Sequence, residues 1–305
     1  MTNQNRAYIG LILATLIIGL SFIFVKIGLR HSGAMDLLAH RFTAAATSLL
    51  VLRIFGFIKL PPFSFKKAKS LLLLSLFYPL LFFGLQTYGL QHSTASEAGI
   101  IFATTPIITL IAASIFLKEK TTWLQKIGIV LTIAGVLHII YFSGDISGST
   151  TIKGIILLLL SVLAVVTYYV IGKVVSARFS AMEITVWMTI LAFAVFNGFS
   201  LSSHIQNHTL GEFFNPLFHT EFLWAVLYLG VLSSMVTALF TNFALIQIPA
   251  SQIAVFNNLS PLISIAGGIL ILGETLFTYH IIGGMSVIAG VAMTVIFKYK
   301  NPKKE

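Results

Sequence analysis

The run Asn257-Asn258-Leu259-Ser260-Pro261, with Gln252 five residues before it, is the most polar stretch inside an otherwise apolar segment. An amide side chain offers both a donor and an acceptor, which suits a carboxylate, amide or hydroxyl on a small ligand. Neighbouring residues of a helix point about 100° apart, so only one of Asn257 and Asn258 faces any one cavity. The plainer role for such residues is hydrogen bonding between helices, worth about 1 kcal/mol or less per pair. Pro106 lies in a similar apolar segment, behind Phe102-Ala103-Thr104-Thr105. A proline inside a helix removes one backbone hydrogen bond and crowds the preceding turn. Pro106 and Pro261 are therefore read as bending or breaking their helices beside a path.

Arg41 is the most informative charge. It follows His40 about two turns into an apolar helix, where a lone cation is costly. With Lys26 it could receive the carboxylate or phosphate of a substrate. The competing and favoured reading is that both cations reach outward and pair with Asp36 or Glu97. Tyr88 and Tyr168 are further candidates for a cavity wall, in the company of Tyr78, Pro79, Gln86 and Tyr169. A buried tyrosine can stack on a ligand while donating a hydrogen bond. Aromatic residues in apolar helices are nevertheless mostly packing groups or interface anchors.

Several chemistries are disfavoured. No Gly-rich run ends in Gly-Lys-Ser/Thr, since Gly172-Lys173 is followed by Val174, so an ATP-driven pump within this chain is not expected. His-Glu-x-x-His is missing, the histidines are scattered, and no credible Ser/His/Asp grouping occurs. The chain has no cysteine, which removes disulfide frameworks and thiolate metal sites. The expectation is a protein with neither cofactor nor metal.

The elements that must position these residues are set by composition. Only 9% of the 305 residues are charged and 57% are hydrophobic, too apolar a balance for a water-facing surface. Apolar runs long enough to cross a bilayer as helices recur at about 7–29, 34–57, 68–91, 94–117 and 122–142. They recur again at about 153–175, 181–203, 221–246, 250–272 and 277–298. This predicts an all-α integral membrane protein with ten transmembrane helices. Its formal charge of +10 has a topological explanation. With the N-terminus inside, 15 of the 19 Lys and Arg lie on the inner segments, leaving Lys26, Arg30, Arg41 and Lys153. Both termini are then cytoplasmic, and nucleic-acid binding is not expected. The N-terminal segment has one basic residue and runs into a full-length span, so no signal peptide is read there.

The ten helices divide into two copies. At an offset of 155, Ala95-Ser96, Pro106, Glu119, Gly128 and Ile133-Ala134-Gly135-Val136 meet Ala250-Ser251, Pro261, Glu274, Gly283 and Ile288-Ala289-Gly290-Val291. Upstream the offset is 147, where Lys26 meets Lys173 and Ala34-Met35-Asp36 meets Ala181-Met182-Glu183. The eight extra residues of the second copy fit the polar stretch 202–221. An odd number of helices per copy inverts the second copy in the membrane. Lysines flank Glu119 but not Glu274, as that inversion requires. The expected domains are residues 8–142 and 153–297.

"FLKEKTTWLQKIGIVLTIAGV" and "LILGETLFTYHIIGGMSVIAGV" resemble the ending of an EamA repeat, and "GLSFIFVKIGLR" with "LLAHRF" resembles its opening. The usual Trp-Gly pair is replaced by Ile18-Gly19. The chain is thus similar to the EamA type of the drug/metabolite transporter superfamily. Members export amino acids, metabolites or toxic compounds, so the resemblance implies a secondary transporter of the cell membrane exporting a small metabolite. The implied partners are a small-molecule substrate and the lipid bilayer. Inverted repeats agree with alternating access around a site near the bilayer midplane. The alternatives are a multi-span enzyme acting on a lipid or polyprenyl substrate, and a passive channel.

Overall fold

The computed structural model describes residues 2–58, 65–116, 122–146, 151–248, 253 and 260–296. Gln252, Asn257, Asn258 and Glu119 fall outside the described residues. The first copy holds α1 (Asn3–Leu29), α2 (Ala34–Ile54), α3 (Phe65–Ser75), α4 (Phe82–Gln91), α5 (Ala95–Phe102), α6 (Thr105–Phe116) and α7 (Trp123–Ile146). The second holds α8 (Ile152–Val175), α9 (Ala181–Gln206), α10 (Leu210–Phe214), α11 (Thr220–Leu227), α12 (Thr237–Gln247), α13 (Ser260–Leu272) and α14 (Thr278–Ile296). No strand occurs among the described residues.

Among the described residues, eight helical stretches are long and apolar enough to cross a membrane: Asn3–Leu29, Ala34–Ile54, Lys69–Gln91, Ala95–Ala112, Trp123–Phe142, Ile152–Val175, Ala181–Gln206 and Thr220–Gln247. The segments expected as spans nine and ten contain shorter apolar helices, Ser260–Leu272 and Thr278–Met293. The chain is a multi-pass helical membrane protein. Large apolar side chains such as Leu72, Val130, Leu137, Leu270 and Met285 remain exposed around its sides, as a surface facing hydrocarbon requires.

Local signals start the helices. Thr94 and Ser180 each form a reciprocal capping box, with Glu97 and Glu183, at the N-termini of α5 and α9. The polar stretch 202–221 folds as α10 and a 3-10 turn, Asn215–Phe218. It brings Phe213 onto the His40 ring at 4.3 Å, and the Phe213 carbonyl lies 2.8 Å from His40 Nε2.

The packing has an internal two-fold pattern. Among the most extensive pairings are α7 with α14, α2 with α9, α4 with α8, and α1 with α12. The first two join a helix to its own counterpart, and the last two are counterparts of each other. The repeated Gly-x6-Gly of the sequence lies in the α7–α14 seam. A Cβ on Gly135 would come 2.7 Å from the Gly283 carbonyl, and one on Gly290 would come 2.5 Å from the Gly128 carbonyl. Those contacts exchange under the offset of 155, and their order makes the two helices antiparallel. Thr132 Oγ1 donates to the Val287 carbonyl at 3.4 Å, and these two residues are each other's counterparts. Small residues here let backbones approach where lipid offers no hydrophobic drive for association.

Candidate functional site

The two copies meet at a central cavity. Its walls include Ile18, Ser21 and Phe22 of α1, and Val165, Tyr168 and Tyr169 of α8, which are equivalent at the offset of 147. They also include Tyr78, Gln86 and Thr105, and Ser233, Thr241 and Ser260, equivalent at 155. Six equivalent pairs thus line one space, joined by Phe82, Phe83 and Phe102. The cavity lies on the internal two-fold. Its volume is about 40 Å³, room for a few waters.

Broken helices supply this wall. The fourth span interrupts at Ala103-Thr104, and Pro106 is the second residue of α6, in a first turn where a missing N–H costs least. The carbonyl four residues before Pro106, that of Phe102, accepts instead from Thr105 Oγ1 at 2.6 Å. Thr104 Oγ1 does the same for the Ile101 carbonyl at 2.6 Å. Pro261 occupies the equivalent second position of α13. The third and eighth spans are interrupted too, the third by a kink within Leu76–Leu81 where Tyr78 leaves the helix (φ −143°, ψ 119°) before Pro79, the eighth by π-helical turns over Tyr228–Val236. The first maps onto the end of the second at the offset of 155. Such turns redirect side chains and recur at functional sites. Tyr78 stacks on Tyr168 at 4.6 Å. Tyr168 donates to Asn242 Oδ1 at 2.7 Å, and Asn242 Nδ2 donates to Thr185 Oγ1 at 3.0 Å.

Arg41 lies behind this wall, in contact with two of its residues, Ser233 and Phe83. It is 1% exposed, donates from Nε to Ser234 Oγ at 2.7 Å and from Nη2 to Ser233 Oγ at 3.1 Å, and lies 3.8 Å over the Phe83 ring. Gly230 permits the approach, because a Cβ there would come 2.5 Å from the Arg41 carbonyl. Nη1 has no hydrogen-bond partner among the described residues.

A second cavity, of about 750 Å³, opens at the end of the bundle where α1 and α4 finish and α5 begins. Lys26, Arg30, His92, Glu274 and His280 line it. Glu274 caps α5 across the copies, accepting from Ala95 N at 2.7 Å, Ser96 N at 2.9 Å and Ser96 Oγ at 2.6 Å. Beside it, His280 Nδ1 accepts from Phe277 N at 3.1 Å, which leaves the proton on Nε2 to be donated to Glu97 Oε1 at 2.9 Å.

The expected pairing of Lys26 and Arg41 with Asp36 or Glu97 is corrected. Asp36 bonds Ser200 and His204, and Glu97 bonds His280. Lys26 instead caps the end of α4, donating to the Leu90 and Ser93 carbonyls at 3.0 and 2.9 Å. Lys173 repeats this on α12, at the equivalent Leu245 and Ile248 carbonyls, 2.6 and 2.9 Å away. Helix-end carbonyls left without intrahelical partners were the stronger attraction. Tyr168 lines the central cavity, whereas Tyr88 is 39% exposed on α4 and does not. Sequence reasoning missed Ser233 and Ser234 as partners of Arg41, and Phe22, Phe82 and Phe83 as cavity wall. Carrying Tyr78 and Pro79 across the offset of 155 would have pointed to the two serines.

The family model described as the EamA-like transporter family matches residues 5–141 and again 152–296. An uncharacterized transporter of Bacillus subtilis strain 168, YcxC, is 41% identical over 99% of this chain and 96% of its own. A second from the same strain, YetK, is 28% identical over 98% of this chain and 89% of its own. A probable terminal-alkyne amino-acid exporter of Streptantibioticus cattleyicolor is 25% identical over 68% of this chain and 67% of its own. One solved structure, 14% identical, shares the fold with a TM-score of 0.64 over 96% of this chain and 97% of that one. These relatives are transporters rather than enzymes, and the chain belongs to the EamA-like transporter family.

Proposed function

We propose that the protein is a secondary transporter that moves a small metabolite by alternating access of two inverted five-helix repeats, ten spans in all. The observation that carries this reading is the narrow central cavity lined by six pairs of equivalent residues. A site on the two-fold between inverted halves is exposed to one side or the other as the halves exchange conformations. The antiparallel seam of α7 and α14 supports the inversion, and the broken fourth span and the paired prolines supply places to bend. A cavity this small favours a carrier over a permanently open channel.

The preferred direction is export from the cell, and the preferred solute an amino acid or related compound. The S. cattleyicolor relative, a probable amino-acid exporter, supports that choice. The 15-to-4 split of basic residues supports a plasma-membrane protein with both termini cytoplasmic. The larger end cavity then faces outward. Tyr168, Arg41, Gln252 and one of Asn257 and Asn258 are the proposed contacts, with Pro106 and Pro261 at the bending points. The test is counterflow in proteoliposomes, with the solute first identified by comparing metabolites of overexpressing and empty cells. Exchange of labelled for unlabelled solute is expected. Net leak without exchange would replace the carrier with a channel.

A further inference from the structure

We propose that Arg41 is the anion-binding residue of the central cavity, and that it selects a small carboxylate with an apolar or aromatic body. This assignment rests on the transporter reading above and adds the substrate's charge to it. Arg41 lies seven residues into α2, about 10 Å along the helix axis from Ala34. No carboxylate among the described residues forms an ion pair with it. A buried guanidinium with only neutral partners is costly inside a membrane, and such residues mark ligand paths.

Its surroundings hold the cation without neutralising it. Two serine hydroxyls accept from Nε and Nη2, Phe83 covers one face, and Nη1 is left over. Ser233 and Phe83 are themselves cavity wall, so the guanidinium is fixed beside the space a solute would fill. A carboxylate arriving there gains a charge-assisted hydrogen bond from a donor already oriented by its other bonds. The counterpart of Arg41 at the offset of 147 is Met188, and the counterparts of Ser233 and Ser234 are Tyr78 and Pro79. The cation therefore breaks the two-fold of the cavity and gives a bound solute one orientation. Gln86, also cavity wall, is 2% exposed and its Oε1 has no hydrogen-bond partner among the described residues. An N–H of the solute would satisfy that oxygen. The rest of the wall is mostly apolar or aromatic, Phe22, Phe82, Phe102 and Tyr169 among it, with hydroxyls at Ser21, Thr105, Thr241 and Ser260.

The experiment uses the purified full chain and three probes of one body: 3-phenylpropionate, L-phenylalanine and phenethylamine. Titration calorimetry in detergent should show both carboxylates binding at least ten-fold more tightly than the amine. Arg41→Gln should lose at least ten-fold for the carboxylates and little for the amine. Arg41→Met, an apolar replacement of similar length, should also lose carboxylate binding while its unliganded melting temperature holds or rises. Equal binding of acid and amine, binding of none of the three, or an Arg41→Met protein melting well below the parent would overturn the assignment. Counterflow separates the two readings. Exchange with the same preferences in Arg41→Gln removes the anion site and leaves the transporter. Carboxylate binding without any exchange in the parent leaves the anion site and removes the transporter.

Discussion

Adding one methyl group at Gly283 should destabilise the protein, while adding it at Gly284 should not. A Cβ on Gly283 would meet the Ile139 side chain and come 2.8 Å from the Gly135 carbonyl. Ordinary contact lies beyond 3.4 Å, so the α7–α14 seam must open by about half an ångström or more against fixed backbone. Overpacking of this kind costs about 1–3 kcal/mol. On Gly284 the nearest atom is Ile100 Cδ1 at 3.5 Å, an ordinary contact, and alanine's helix propensity contributes about 0.5–1 kcal/mol in the other direction. At about 2–4 °C per kcal/mol, Gly283→Ala should melt several degrees below the parent, with Gly284→Ala level or above. The assay is thermal unfolding of the purified protein in detergent, followed by monodisperse elution after heating. Equal losses in the two variants would refute the seam as the tight interface. A loss confined to Gly284→Ala would refute the rotational phase of α14.

Three further outcomes follow from the same geometry. Lys26→Met and Lys173→Met each remove a two-carbonyl cap and should lower stability by similar amounts, about 1–3 kcal/mol each, read as melting temperature. Effects differing by more than three-fold would deny that the caps are equivalent. Glu274→Gln replaces a double acceptor facing two N–H groups and a hydroxyl, so it should cost about 1.5–3 kcal/mol and raise labelling of a cysteine placed at Thr275 beside the end cavity. Unchanged melting and labelling would count against the cross-copy cap. Thr105→Val should reduce transport more than it reduces expression, because it strips the hydroxyl that satisfies the Phe102 carbonyl at the break before Pro106. Parental flux in that variant would make the hydroxyl dispensable.

The duplication was legible because Gly, Pro and Glu matched without a gap, and the matched glycines and Glu274 have packing or capping reasons among the described residues. Gly128, Gly135, Gly283 and Gly290 form one seam, and Pro106 follows the break at Ala103-Thr104 in the fourth span. The offsets relate the cavity walls pair by pair once one wall is known. Which face of each helix looks inward was not legible. Lipid is as apolar as a packed core, so helices such as α1 and α7 are apolar all round and carry no stripe to set their phase. That is why Tyr88 and Tyr168 read alike in the sequence but part company in the fold. Partners of Arg41 and Lys26 were missed for a related reason: they are backbone carbonyls and hydroxyls, which every segment offers. The kink within Leu76–Leu81 contains Pro79 but has no further composition of its own.

The claim that one central site is reached from opposite sides in turn can be tested with one reporter cysteine and one bridgeable pair. The chain has none, so Ser21→Cys on the cavity wall is a clean reporter. Glu97→Cys and His280→Cys, whose native side chains are 2.9 Å apart, can be bridged by a short thiol cross-linker to pin α5 to α14 before the reporter is labelled. An impermeant maleimide is then applied to right-side-out and inside-out vesicles. The account predicts that the unbridged protein labels from both sides. Bridging holds α5 against α14 as they stand, so it should leave the reporter reached from one side only. Labelling from both sides that persists after bridging, or a reporter reached from neither side in any state, would contradict alternating access.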